Sequence, residues 1–328
     1  MCTVFILRAA CSTAQLVYPA YSPAYTQAVP QTDSQAVPQA DTHAYTPAIP
    51  PAGTQAVPPA PASGTTFLPG GTLFAPLRAN YQEPRVGVAK EAGTSRLKLD
   101  IGSSIDFLEC RTGVAGGKLR VGADLFTYAL TTSAEGLRLQ VDAVDGFFGG
   151  HIVYAAPGED AHLSLRLRLL HISGHLIDGH WDRVTMQWRD NKQPIPYTRD
   201  FGELTGLYAW PGRSVDLSVY SGFGYATLVR PGNLSRYGTL HGFEVHTTGL
   251  TGTFWGRPLN AYIADHLAIT GIPATYGTNN VEFGVKFGEW DGTGIRFYGS
   301  YYHGLEVFSQ YYYVRVDRWA LGFAFDAW

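Results

Sequence analysis

The sequence predicts an all-β chain, a closed antiparallel transmembrane β-barrel of about 12 strands behind a disordered N-terminal extension. Three observations lead there. From about Thr65 onward apolar and polar residues alternate with period two, as they do on a half-buried strand. The alternating runs reach roughly 9–12 residues, against five or six for an average soluble strand, and that length crosses a bilayer when tilted. Finally, the connections between runs alternate between short and long, apart from the first outer one near Ala92–Thr94, which is short.

Composition narrows the classes. Charged residues make up 16 % of the 328, below the roughly 25 % usual for soluble domains, and the formal net charge is −3. No basic excess points to nucleic acid. Twenty tyrosines and 38 glycines favour strands and turns. The longest apolar runs are far short of the ~20 residues a spanning helix needs, which leaves a barrel open.

Residues 1–64 form the first region. Thr3–Leu7 is one short apolar run followed by Arg8, a poor or truncated secretory signal. Cys2, Cys11 and Cys110 make no disulfide framework and have no zinc spacing. TQAVP at 26–30 and 54–58 and SQAVP at 34–38 recur in a stretch with no lysine or arginine between Gln15 and Phe74. With proline every few residues and little apolar bulk, this reads as a disordered linker.

Residues 65–328 form the barrel. The expected strands are 83–91, 95–109, 117–130, 146–155, 160–172, 197–209, 213–226, 238–248, 258–269, 278–289, 293–303 and 318–328. Leu163, Leu165, Leu167 and Leu169 against Ser164, Arg166 and Arg168 show the pattern, as do Val281 to Phe287 against Glu282 and Lys286. An even number closes an antiparallel barrel without a free edge. With the N-terminus periplasmic, the inner turns include Ala156-Pro157-Gly158, Trp210-Pro211-Gly212, Thr251-Gly252-Thr253 and Trp290-Asp291-Gly292. The outer connections 131–145, 173–196, 227–237 and 304–317 are the long ones. Trp210, Trp255, Trp290 and Trp328 fall at one end, and Trp181, Trp188, Trp319, Tyr301, Tyr302 and Tyr311 to Tyr313 at the other, as two aromatic girdles would. In the last strand Trp319, Leu321, Phe323 and Phe325 share a face, a signal for the barrel-assembly machinery, with Trp328 out of phase.

FLPGGTLFAPLRANYQEPRVGV (67–88), LLHISGHLIDGHWD (169–182), YYHGLEVFSQYYY and GFAF, spread over 67–328, resemble an uncharacterised bacterial family of outer-membrane type, domain of unknown function 1207. The resemblance implies envelope location and barrel architecture and brings no activity. Where that family shows Ser-Ser-His-Leu-Gly-Asp-Glu, this chain has Ser173-Gly174-His175-Leu176-Ile177-Asp178-Gly179.

Inward faces are expected to carry Lys98, Asp100, Lys118, Arg120, Asp124, Arg166, Arg168, Asp216, Glu244, Glu282, Lys286 and Arg296, with Asp106 among them. They suit either a packed, ion-paired lumen or a narrow aqueous pore, in which Arg166 and Arg168 beside Lys118 and Arg120 would form an anion stripe. HISGHLIDGHWDR at 171–183 continues the leucine-faced strand, so His171, Ser173 and His175 should point outward at the outer rim. There Ser173 could act as nucleophile with His175 or His171 as base and Asp178 or Asp182 orienting it, on outer-leaflet lipid. A metal site from His171, His175 and His180 would need a turn, since residues four apart on a strand stand about 13 Å apart. The expected roles are a narrow channel or a structural barrel with an envelope partner; the alternatives are the lipid hydrolase and a soluble barrel or sandwich. No cofactor is expected, and the expected surroundings are lipid of the bacterial outer membrane.

Overall fold

The computed structural model describes residues 64–111, 116–134, 138–158, 162–175, 180–248, 252–272 and 274–327. The expected extension, Asp178 and Trp328 lie outside these residues. Twelve strands close an antiparallel barrel: β1 Val86–Glu91, β2 Arg96–Arg111, β3 Lys118–Ala134, β4 Arg138–Ala155, β5 His162–His175, β6 Thr198–Trp210, β7 Val215–Arg230, β8 Tyr237–Thr247, β9 Arg257–Ile272, β10 Ala274–Gly288, β11 Gly294–Leu305 and β12 Arg315–Asp326. Each pairs with its chain neighbour, and β12 closes on β1 from Ala320 opposite Glu91 to Phe325 opposite Val86. Connections 176–197, 231–236 and 306–314 leave one end; 211–214 and 289–293 turn at the other.

The polarity is inverted relative to a water-soluble barrel. Leu125 and Leu321 are 70 % and 72 % exposed on the outer surface, while Lys286 and Arg296, facing in, are 0 % and 1 % exposed. Period-two alternation produces this directly, because successive side chains point to opposite faces. Toward the long-loop end the lumen becomes apolar: Phe126 stacks on Phe147 at 4.3 Å, and Tyr128, Leu170, Phe201, Tyr302 and Phe308 join them.

Two expectations change. Residues 131–145 are mostly strand, since β3 and β4 run on to leave only 135–137 between them. Ala143 and Asp145 face the core, and a bulge opposite Leu130 and Thr131, which buries Asp142 beside Ala143, breaks the alternation. The first strand is also different. Its place in the wall is filled by two pieces of chain, β1 and Thr65–Phe67, both paired with β2. At Leu68, whose φ is 49°, the chain leaves the wall, and residues 68–85 pass through the lumen before β1 begins. Pro69, Pro76 and Pro84 keep this segment out of the ladder, because proline has no donor to give it.

The aromatic girdles are only partly as expected. Tyr208, Trp210 and Trp319 face outward, and Trp255 is 92 % exposed at the short-turn end. Trp290 instead turns into the mouth, stacked on His246 at 4.1 Å and under Arg78 at 4.5 Å. Tyr302 and Tyr311 are buried in the apolar end of the lumen. Trp181 and Trp188 pack on each other, 5.0 Å apart, in a hairpin of the 176–197 connection.

Candidate functional site

The lumen is the first candidate, and the 68–85 segment, hereafter the strap, decides its chemistry. Arg78 donates its backbone N–H to Glu244 at 2.6 Å, and its guanidinium donates to the carbonyls of Pro76 and Trp290. Glu83, 1 % exposed, accepts two hydrogen bonds from Arg166 and lies 3.3 Å from Arg168. Arg168 also pairs with Glu203 at 2.6 Å. Arg85 reaches Glu282, which Arg296 holds at 2.5 Å and Tyr262 at 2.6 Å. Arg296 and Lys286 converge on Asp326 of the last strand, at 3.1 and 2.7 Å. His151 sits between Asp106 and Asp124, 2.8 and 3.0 Å away, and Arg120 spans Asp106 and Glu109.

The expected anion stripe therefore does not stand open. Glu83 and Glu203 take Arg166 and Arg168, and Asp106 and Glu109 take Arg120. Lys98 pairs with Asp100 two residues along β2. Lys118 is exposed at the short-turn end, and Asp216 lies in the mouth with His246 at 3.2 Å. Glu83 was not recognisable as a partner because alternation placed it on the first strand; Pro84 directly behind it was the available warning.

Around the strap remain cavities of about 70 Å³, bounded by Tyr81, Lys98 and Phe308, and about 80 Å³, bounded by Asn80, Glu203 and His266. A larger one of about 600 Å³ occupies the short-turn end, between Leu77, Lys118, Trp210 and His246. At the opposite end the 306–314 connection folds inward. Ser309 donates its N–H and hydroxyl to Asp145 at 2.8 and 2.6 Å, and Phe308 is 1 % exposed. Glu306 bridges Arg318 at 2.7 Å and Arg96 at 3.1 Å. Burial alone would raise its carboxyl, but Arg318 and then Arg96 bring it down to about 2.

The second candidate lies on the outer wall. β5 keeps strict alternation through Leu169, so His171, Ser173 and His175 share the outward face. The Ser173 hydroxyl lies 2.8 Å from His175 Nε2. His171 Nδ1 lies 2.5 Å from Oδ1 of Asp200, the residue opposite it on β6, and its ring packs on Phe148 with centroids 4.7 Å apart. Asp182 is used elsewhere: the N–H groups of Thr185 and Val184 hold its carboxylate below the usual range and close a turn. His180 faces Asp142 at 3.0 Å and Asp190 at 3.7 Å. The three histidines considered for a metal thus make three separate contacts, and no group of three or more metal-ligating side chains occurs among the described residues. Asp200 was missed by sequence reasoning, although its parity with outward-facing Leu204 marked it as an acid on an otherwise apolar face.

Comparison with protein-family models, with curated proteins and with solved structures finds no match.

Proposed function

We propose that this chain is an outer-membrane β-barrel of the bacterial envelope whose lumen is sealed, a structural or partner barrel rather than an open pore. The observation that carries the reading is the inverted polarity: an apolar outer wall around an ion-paired, strap-filled interior. In water such a wall would expose apolar area worth about 25 cal/mol per Å², whereas lipid takes it without penalty. In this setting outer-membrane lipid surrounds the wall, and β12, with Trp319, Leu321, Phe323 and Phe325 on its outer face, is the strand offered to the barrel-assembly machinery. The resemblance to domain of unknown function 1207 would imply the same location, and its first stretch, 67–88, contains the strap.

The protein is expected in the outer-membrane fraction, with gel mobility that changes on boiling. Recovery with soluble periplasmic proteins would overturn the location. In planar bilayers the full chain should be electrically silent, and deletion of 69–85 should produce steps of conductance. Ion conduction by the intact chain would restore the channel in place of the sealed barrel.

A further inference from the structure

We infer that the outer wall carries a serine esterase site in which Ser173 is the nucleophile, His171 its general base and Asp200 the group that positions that base, acting on long-chain acyl esters presented from lipid. The carboxylate of Asp200 accepts from His171 Nδ1–H at 2.5 Å, which fixes the tautomer and leaves Nε2 with its lone pair available. Phe148 holds the same ring from the β4 side. His171 is therefore anchored on two sides, whereas His175 stands exposed at the end of its strand with the serine hydroxyl as its contact.

Ser173 lies between the two histidines on one face. Residues two apart on a strand are separated by roughly 6.7 Å, and side chains in strands lean along the strand in either of two common χ1 wells. The observed rotamer gives the contact with His175; in the proposed reactive rotamer the hydroxyl turns the other way along the strand, to the side on which His171 lies.

The surroundings specify the substrate. Leu163, Leu165, Leu167 and Leu169 form an outward ridge that ends at His171, so the site stands where apolar wall gives way to polar rim. Beside Ser173 on β4 is Gly146, where an added Cβ would meet nothing within 4 Å. An acyl chain can lie along the ridge with its ester carbonyl in that notch. Ser173 Oγ attacks the carbonyl carbon and passes its proton to His171 Nε2, which delivers it to the departing alkoxide as the ester C–O bond breaks. Water, losing a proton to the same nitrogen, then attacks the acyl-serine; the fatty acid leaves and the serine recovers its proton.

The test uses the full chain in dodecyl maltoside micelles with a biotinylated fluorophosphonate, and p-nitrophenyl laurate and butyrate as substrates. Labelling is expected on the peptide containing Ser173, absent in Ser173→Ala, with laurate cleaved faster than butyrate. His171→Gln and Asp200→Asn should slow labelling on the order of 10²–10⁴-fold, and Asp200→Glu should recover part of the rate. Asp200→Asn should also lower kcat for laurate while leaving KM unchanged, a split that a merely structural role would not produce. His175→Gln should label within about threefold of the parent, a factor worth well under 1.4 kcal/mol. No labelling, labelling that survives His171→Gln, or loss of labelling in His175→Gln overturns the assignment. The substrate class rests on the membrane reading, but the labelling does not: a soluble chain that labels at Ser173 keeps the site and loses the membrane.

Discussion

Glu83→Ala should be the most damaging single substitution in the barrel. It strips the carboxylate from Arg166, whose guanidinium is buried with Glu83 as its ion-pair partner, and takes one of two ion-paired carboxylates from Arg168, which keeps Glu203 and the Gln82 carbonyl. Breaking a buried pair by removing one member costs about 3–5 kcal/mol, because the remaining charge is uncompensated. The expected result is a lower unfolding midpoint in urea, followed by the boiling-dependent gel shift, and conductance where the parent has none. Removing both charges, as Glu83→Gln with Arg166→Met, should restore most of the lost stability. A double-mutant cycle reads the coupling directly. If Glu83→Ala melts with the parent, the strap is not held by these ions.

Closure at the other end depends on Glu306, and the second large effect is expected there. Its folded-state value of about 2 lies below its usual 4.5, so the contribution to stability is complete above about 4.5 and is lost as pH falls toward 2. The 306–314 connection should keep its hydrogen-exchange protection at pH 5 and lose it progressively below that. Glu306→Gln should remove this acid dependence and release the connection at neutral pH, at a cost of about 3–5 kcal/mol, since Arg318 and Arg96 are left facing a neutral amide. Protection in Glu306→Gln equal to the parent at pH 7 would show that Ser309 on Asp145 holds the loop unaided.

Much of the wall was legible because period-two alternation is a local property. The Leu163–Leu169 face and the Val281–Phe287 face are readable within a few residues, and their length and parity carry the strand number and the outward placement of Ser173. The contents of the lumen were not legible. Glu83 reaches Arg166 across 83 positions of sequence, Asn80 and Arg85 lie on chain that obeys no period, and register between strands is fixed by pairings that no short window contains. The outer-wall pair His171–Asp200 lies between these cases. Each residue's face follows from its own strand, but their opposition follows only from the register of β5 on β6.

The strap is joined to the wall at both of its ends, through Phe67 opposite Leu108 and Gly87 opposite Asp100. A plug contributed by another molecule would be diluted once displaced; this one cannot diffuse away. Ends fixed in this way hold the segment near its carboxylate and arginine partners at an effective concentration in the millimolar range for a short tether. Any opening would therefore be brief and self-correcting, and the rate of resealing would be independent of how much protein the membrane holds.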